Sequence, residues 1–498
     1  MTAQAAPART GFDPRWLPLA VTTIGSFMSL LDSTIVNIAL PTILRDFGAD
    51  LQNGQLVLTV YLVALAVVIP VSGYLGERFG MKRLYIVTLV CFTLGSTLCG
   101  FAWNLPSLIV FRVLQGLGGG MLQPLGMAIV FTMITPLERP RFMGLLGLPL
   151  LLAPILGPTV GGYLVEYSTW RAIFLINLPI GLANIVLAYI LLKETPIRSA
   201  ARMDFRGFAL AAITFPCLLL ALSEGEAVGW TSPYVLGLFA LGLAALTGFI
   251  RVELRQHDPM MQIRLFAHPM FRLAVGLQFV MQFSLFGLQF LLPIFLQAVR
   301  GLDAAHAGLV MFPMGLVSFV TMTASGRVYN RVGPRPLVSI GLVVLAATTA
   351  LLSQIDESTS VAYITLLASG RGLALGLCAM NVQTVAYNTV EQSQLPRATA
   401  LTNVAFRVFG SIATAMLTTT LVLSLAWHGA PAGSSITGGT APVPFMVEAF
   451  RDAFLAMTAL SIVGFVLSFR LHDPVLERER TRSRERTRER ERELAPEL

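Results

Sequence analysis

Leu31-Asp32-Ser33-Thr34-Ile35-Val36-Asn37-Ile38-Ala39-Leu40-Pro41 closes an apolar run that begins at Leu17, long enough to cross a bilayer, with a carboxylate well inside it. An aspartate near the middle of a spanning helix costs about 2.5–3.5 kcal/mol on insertion scales, so such residues face a bundle interior or a watery cavity and serve ion or substrate movement. Asp32 lies nine residues before Pro41, which is about 13 Å at the helical rise, too deep for its short side chain to reach the interface. The alternative to a transport role is a structural ion pair with another helix.

The rest of the chain agrees with a membrane setting. Its 498 residues are 55% hydrophobic and 12% charged, and the mean hydropathy is +0.72. A soluble globule would carry roughly 25% charged residues. The formal charge of +8 comes from arginines clustered between apolar runs, which is how the cytoplasmic loops of membrane proteins look, so no nucleic-acid partner is expected. Cys91, Cys99, Cys217 and Cys378 all fall inside apolar runs and read as packing residues. The first apolar segment has no small-residue cleavage site and is expected to remain as a helix. Lys82 and Lys193 are the two lysines, and neither follows a glycine ahead of Ser or Thr, so a phosphate-cradling loop is excluded. With no His-Glu-x-x-His, Gly-x-Ser-x-Gly or Cys/His cluster either, the sequence predicts neither an enzyme nor a metal or other cofactor.

Spans of about 20 residues place helices near 17–41, 53–75, 84–103, 106–134, 142–166, 170–192, 207–223, 234–253, 271–299, 306–329, 337–354, 361–390, 398–426 and 447–470. Fourteen crossings put both termini on one side. Loops at 76–83, 135–141, 193–206, 254–270, 330–336 and 391–397 hold most of the connecting Lys/Arg, which makes that side the cytoplasm by the positive-inside rule. Labels at Ser199 and Thr481 are therefore expected to report the cytoplasm and labels at Ser435 the outside.

Gly73-Tyr-Leu-Gly-Glu77-Arg78-Phe-Gly80-Met-Lys82-Arg83 recurs as Gly326-Arg-Val-Tyr-Asn330-Arg331-Val-Gly333-Pro-Arg335-Pro336 at a constant offset of 253. The chain is thus two related halves. Six helices occupy only the first 192 residues, and the excess fits two helices inserted between the halves. The expected organisation is a cytoplasmic N-terminus 1–16, a six-helix bundle 17–192, a linker with two inserted helices 193–270, a second six-helix bundle 271–470 and a cytoplasmic charged tail 471–498. Leu40-Pro41 recurs as Leu292-Pro293, and Asp32 then corresponds to Ser284, so the acid belongs to the first half only.

Four motifs resemble those of the fourteen-helix drug/proton antiporter branch of the major facilitator superfamily, and the likeness runs from Trp16 to Arg470. Leu31–Pro41 resembles the helix-1 signature, Gly73–Arg83 the loop between helices 2 and 3 with Glu77 in place of the commoner aspartate, and Arg112-Val-Leu-Gln115-Gly116-Leu-Gly118-Gly119-Gly120 the helix-4 motif. Ala153-Pro-Ile-Leu-Gly157-Pro158-Thr-Val-Gly161-Gly162 resembles the antiporter motif of helix 5, with alanine at the first glycine position. The resemblance implies an all-α major facilitator fold of two six-helix bundles plus two inserted helices, and a multidrug efflux pump of the cell inner membrane. It also implies proton coupling by Asp32 and Arg112.

The residues carry physical readings of their own. Arg112 lies six residues after Pro106, about 9 Å into its helix, at a depth where it can meet Asp32. A neighbouring cation favours the charged form of an acid and desolvation the neutral form, and a transporter that changes both between conformations can move a proton. Gly73, Glu77, Arg78, Gly80 and Arg83, with Arg331 of the second copy, form a candidate conformational latch; a plain basic loop is the alternative. Gly157, Pro158, Gly161 and Gly162 are a candidate hinge, or static close packing. Candidates for a substrate cavity are Asn37, Gln115, Gln123, Gln278, Gln282, Phe286, Gln289, Arg371, Asn381 and Arg407, each of which can instead serve interhelical bonding. The Arg/Glu tail beyond Leu476 reads as a solvated helix or disorder, and truncation after Pro474 is expected to leave transport intact.

The expected function is proton-coupled export of small amphipathic compounds by a monomer in the lipid bilayer. Export of one specific metabolite or lipid, or a non-transporting membrane sensor, are the rival readings. One acid against three arginines (Arg112, Arg371, Arg407) at membrane depth predicts that divalent cations are poor substrates.

Overall fold

The structure is a computed structural model that describes residues 16–49, 51–195, 204–431, 434, 436 and 441–494. Ser199, Ser435 and nearly all of the expected N-terminal segment lie outside the described residues. The helices in chain order are α1 (Trp16–Phe47), α2 (Leu51–Phe79), α3 (Met81–Gly100), α4 (Leu105–Met133), α5 (Arg139–Leu146), α6 (Leu148–Tyr167), α7 (Ala172–Leu175), α8 (Asn177–Leu191), α9 (Phe205–Val228) and α10 (Pro233–Arg255). After them come α11 (Pro269–Ala298), α12 (Ala304–Val332), α13 (Pro334–Leu352), α14 (Val361–Asn388), α15 (Leu395–Trp427), α16 (Val443–Ser468) and α17 (Pro474–Leu494). The described residues contain no strand, and thirteen helices are long and apolar enough to cross a membrane.

Three of the differences from the sequence expectation fall at prolines. α1 does not stop at Pro41 but runs through it to Phe47. The lost donor costs one ladder bond, which a membrane helix tolerates when neighbours cover the freed carbonyl. The crossing expected over 142–166 is divided at Gly147 into α5 and α6, where Pro149 in the first turn of α6 cannot continue the ladder. The crossing expected over 170–192 is likewise divided at Ile176, three residues before Pro179.

Helix α4 is the hub of the first half, packed on α1, α2 and α3, and α14 is its counterpart in the second, packed on α11, α12 and α13. Glycines let α4 lie close: a Cβ at Gly118 would run into the backbone of Thr88 and Phe92, and one at Gly116 into Ala64 and the Tyr61 carbonyl. The inserted helices α9 and α10 pair with each other, and α9 reaches both α2 and α15. Leu236, Leu241, Leu243 and Leu254 of α10 are exposed, as a lipid-facing edge requires.

The two copies of the repeated motif end α2 and α12 at one face of the bundle, here termed the repeat face. Gly80 (φ 88°) and Gly333 (φ 93°) occupy left-handed turns that other residues adopt only under strain. The first glycine of each copy is equally constrained. Gly73 lies against the backbone of Pro396 in α15, and Gly326 against that of Pro140 in α5, so each copy abuts a helix start of the other half.

Candidate functional site

Asp32 and Arg112 meet, as the depth estimate predicts. Arg112 Nη1 donates to Asp32 Oδ2 at 2.6 Å, and both residues are about 1% exposed. Gln115, one turn along α4, closes the site: its Nε2 donates to Asp32 Oδ1 at 2.8 Å while its Oε1 accepts from Arg112 Nη1 at 2.9 Å. Both carboxylate oxygens are thus occupied. The guanidinium also donates through Nε to the Val57 carbonyl (3.3 Å) and lies 4.0 Å from the Tyr61 ring centroid. These contacts would hold the arginine even when the acid is neutral. Asn104 starts α4 with a capping box that includes Ser107, which fixes how deep Arg112 sits.

The candidate hinge packs beside the acid. A Cβ at Gly157 would meet Thr34 and one at Gly161 would meet Ile35, both one turn or less from Asp32, and Thr34 Oγ1 donates to the Ala153 carbonyl at 3.2 Å. Gly162 faces open space, and the side chain of Pro158 lies outside those described. Small residues on α6 therefore meet α1 at the acid, so any slide of α6 is felt there.

In the second half Arg371 of α14 sits against Ser284, the position corresponding to Asp32. Its Nη2 donates to the Ser284 carbonyl (2.8 Å) and hydroxyl (2.5 Å), its Nη1 to Thr349 Oγ1, and its Nε has no partner among the described residues. The contact from this hub helix to α11 recurs without the acid, and the packing of Gly372 and Gly376 on Met314 and Ser318, as of Gly116 and Gly120 on Tyr61 and Leu65, makes Arg371 the counterpart of Gln115.

Between the halves lies a cavity lined by Gln123, Gln278 and Gln282 of the predicted set, and by Ser26, Met127, Met281, Met322, Met380, Gln383, Asn403 and Phe406 among others. No lining residue is charged. The other candidates stand elsewhere. Gln115 belongs to the Asp32 network, Arg371 is buried behind the lining, and Asn381 bonds the Leu377 carbonyl. Phe286 packs edge-on to Phe406, and Asn37 is exposed, bonded to the Ser33 carbonyl. Gln289 and Arg407 are half-buried outside the lining. The polar stripe on α11 therefore reaches the cavity only through Gln278 and Gln282.

The model of the Major Facilitator Superfamily matches residues 22–415. The chain belongs to the Major Facilitator Superfamily. It is 34% identical over 436 residues to the uncharacterized MFS-type transporter YhcA of Bacillus subtilis, covering 87% of this chain and 81% of that one. It is also 34% identical over 406 residues to the multidrug resistance protein B homolog of Mycobacterium tuberculosis (80% and 75% covered) and 35% identical over 337 residues to the putative multidrug resistance protein MdtD of Klebsiella pneumoniae (68% and 71% covered). Among solved structures, the human organic anion transporter MFSD10 superimposes with a TM-score of 0.63 at 17% identity, over 92% of this chain and all of that one. The fold is the all-α fold of this transporter superfamily.

In this facilitator fold the hydrogen bonds that cross between the halves gather at the repeat face. Glu77 accepts from Arg397 Nε (3.1 Å) and Nη2 (2.7 Å), with the two side chains 5% and 3% exposed. Arg397 Nη1 also donates to Asp258 Oδ1 (2.5 Å) and the Pro259 carbonyl (2.8 Å). On the pseudosymmetric side Asn330, in the place of Glu77, donates to the Leu137 carbonyl (2.8 Å), and Arg139 donates to the Tyr387 carbonyl (2.7 Å) and to Asn388 Oδ1 (3.0 Å). Burial with largely neutral acceptors pushes the Arg139 guanidinium down to about 10. Of the other latch candidates, Arg78 bonds the Tyr74 hydroxyl, Arg83 pairs with Glu194 at 3.5 Å, and the Arg331 carbonyl accepts from Arg480 of α17. The tail is thus a helix whose first turns dock, with Leu476 buried. Arg397, Arg139 and Asp258 escaped the sequence reading because loop arginines all look alike to a positive-inside count. The Pro-Arg pair that starts both α5 (Pro140-Arg141) and α15 (Pro396-Arg397) was an available signal for Arg397 alone.

Proposed function

We propose that this chain is a proton-coupled antiporter of a cell inner membrane, exporting small amphipathic compounds by alternating access as a monomer with its repeat face in the cytoplasm. The observation that carries the reading is a buried carboxylate gripped by Arg112 and Gln115 on a helix that the Gly157/Gly161 face of α6 packs against. In this conformer the cytoplasmic side is latched, and Asp32 is in the charged-pair geometry. A shift of α6 along α1 changes the spacing; a proton on Asp32 then releases Arg112 to Tyr61 and the Val57 carbonyl, while Gln115 can bond the neutral acid through either end of its amide.

The uncharged cavity supports amphiphilic cargo. Methionines adapt to varied shapes and glutamines both donate and accept, which suits binding without a fixed partner. The multidrug-resistance names of two relatives point the same way. With three arginines and one acid at depth, the preferred cargo is neutral, monocationic or anionic, and dications are disfavoured.

Asp32→Asn tests the reading in proteoliposomes under an imposed pH gradient. It keeps the size and the hydrogen bonds but cannot titrate, so gradient-driven efflux vanishes while the protein stays folded; Asp32→Glu retains part of the activity. A purely structural pair predicts instead that both variants melt early and that adding Arg112→Gln to Asp32→Asn restores stability. A stable Asp32→Asn protein that still pumps uphill removes Asp32 from the mechanism.

A further inference from the structure

The inserted hairpin carries two acids that the transport reading does not use. Asp204 caps α9, its Oδ1 accepting from the Gly207 amide at 2.9 Å. Glu253, in the last turn of α10, accepts from the Met261 amide at 3.1 Å through Oε2. They are 6% and 1% exposed, and the second oxygen of each, Asp204 Oδ2 and Glu253 Oε1, has no hydrogen-bond partner among the described residues. Both of these oxygens lie within 3.0 Å of the point a Cβ on Gly207 would occupy, which puts them less than 6 Å apart. Two buried carboxylates at that separation do not both ionise readily.

Among the described residues, few charges face this pair. Arg397 of α15 is the cation that interacts with Glu253, and it is already bonded to Glu77 of α2 and to the partly exposed Asp258. Arg206 in the first turn of α9, Arg251 and Arg255 on α10 and His257 in the following loop are exposed. Arg264 and Arg272 donate to backbone carbonyls, and Arg78 of α2 to the Tyr74 hydroxyl. The route from the pair to the gate is short. Glu253 holds the Met261 amide, two residues along from Pro259, whose carbonyl accepts from Arg397.

We propose that Asp204 and Glu253 share one proton and form a second protonation site, separate from Asp32, that controls the gate through Arg397. With the proton in place the pair carries a single negative charge and Arg397 stays on Glu77. When the proton leaves to solvent, two buried negative charges draw Arg397 off Glu77, and the repeat face loosens. The gate therefore opens more readily as pH rises, whatever Asp32 does.

Infrared difference spectra in an Asp32→Asn background test the shared proton. Glu253→Gln and Asp204→Asn each keep the existing backbone bond, since a side-chain amide oxygen still accepts from Met261 or Gly207. At neutral pH each substitution alone removes one protonated-carboxyl band, because the remaining acid ionises once its like-charged neighbour is gone. A band that persists in either single variant overturns the sharing. For the coupling, spin labels on exposed Thr135 and Gln392 report the separation of the halves at the repeat face. The parent protein shifts toward longer distances from mildly acidic to mildly alkaline pH, and Glu253→Gln stays short throughout. A parent distribution that ignores pH, or a Glu253→Gln protein that follows it as the parent does, overturns the control of the gate.

Discussion

Replacing Arg397 with methionine keeps much of its volume and removes the guanidinium from Glu77. The two bonds to Glu77, at 3.1 and 2.7 Å between side chains 3% and 5% exposed, are the part of the Arg397 network that crosses between the halves. The bonds to Asp258 and Pro259 hold the linker and need not break when the face opens. Charge-assisted bonds contribute about 1.5–3 kcal/mol each, and removing one partner of a buried pair costs about 3–5 kcal/mol. Because Glu77 would be hydrated once the face opens, the closed state bears nearly all of that cost. At about 1.4 kcal/mol per decade, the closed-to-open ratio falls by roughly two to three orders of magnitude. Spin labels at Thr135 and Gln392 read it directly: a short-distance majority in the parent becomes a long-distance majority in Arg397→Met. Adding Glu77→Gln removes the charge that lost its partner and moves the population back toward short distances. An Arg397→Met protein with the parent distribution would refute the assignment of gate energy to this pair.

Gly118→Ala drives a Cβ into the backbone of Thr88 and Phe92, which cannot turn aside, so it destabilises by about 1–3 kcal/mol, read as a lower melting temperature. Gly162→Ala meets open space and leaves efflux unchanged, whereas Gly157→Ala and Gly161→Ala press on Thr34 and Ile35 and reduce it; equal effects at all three positions would contradict the hinge packing. Truncation after Pro474 removes the buried Leu476 and the Arg480 contact to the Arg331 carbonyl, so it lowers thermal stability by at most about 1.5–3 kcal/mol while efflux persists. In the loop before α14, bonds from Ser358 and Thr359 hold the Asp356 carboxyl below its ordinary 3.8. The stability this turn lends is complete above that value and is lost as pH falls below it through the folded-state value, which amide exchange at Ser358 reports.

What the sequence made legible was whatever helical spacing encodes. Depth arithmetic placed Asp32 and Arg112 at one level, and the 253-residue offset placed Gly80 and Gly333 in equivalent turns. Gln115 was legible too, since three residues beyond Arg112 is the same face of α4, but a lone glutamine reads equally well as cavity lining. Partners that the fold joins across hundreds of residues could not be read. Arg397 is 320 residues from Glu77 and 139 from Asp258, and beyond the Pro-Arg pair it shares with Pro140-Arg141 nothing in a single sequence distinguishes its charge from the other loop arginines. Only part of the cavity lining was legible, through Gln123, Gln278 and Gln282, for a related reason: Met127, Met322 and Met380 line it together only because three helices converge there.

The internal repeat explains why the gate is asymmetric. Both positions that could carry an acid in each half do so in the first and not in the second: Glu77 against Asn330 at the repeat face, Asp32 against Ser284 at depth. The first-half acids find arginines, while Asn330 makes a neutral bond to the Leu137 carbonyl and Ser284 receives a guanidinium with no negative charge to offset it. A neutral bond contributes about 0.5–1.5 kcal/mol net and a bond to a charged group about 1.5–3 kcal/mol, so the repeat face is held by one buried charge pair rather than two. Turning a conformational equilibrium from mostly one state to mostly the other takes about 5.5 kcal/mol. Under the proposed cycle one pair leaves the closed state within reach of what a proton and a bound substrate can supply; a second Glu–Arg pair, at Asn330 and Arg141, which stands to Gly326 as Arg397 does to Gly73, would lock it. Asn330→Glu therefore strengthens closure and slows turnover without harming the fold, and an Asn330→Glu protein that cycles at the parent rate would show that latch energy does not limit the transition.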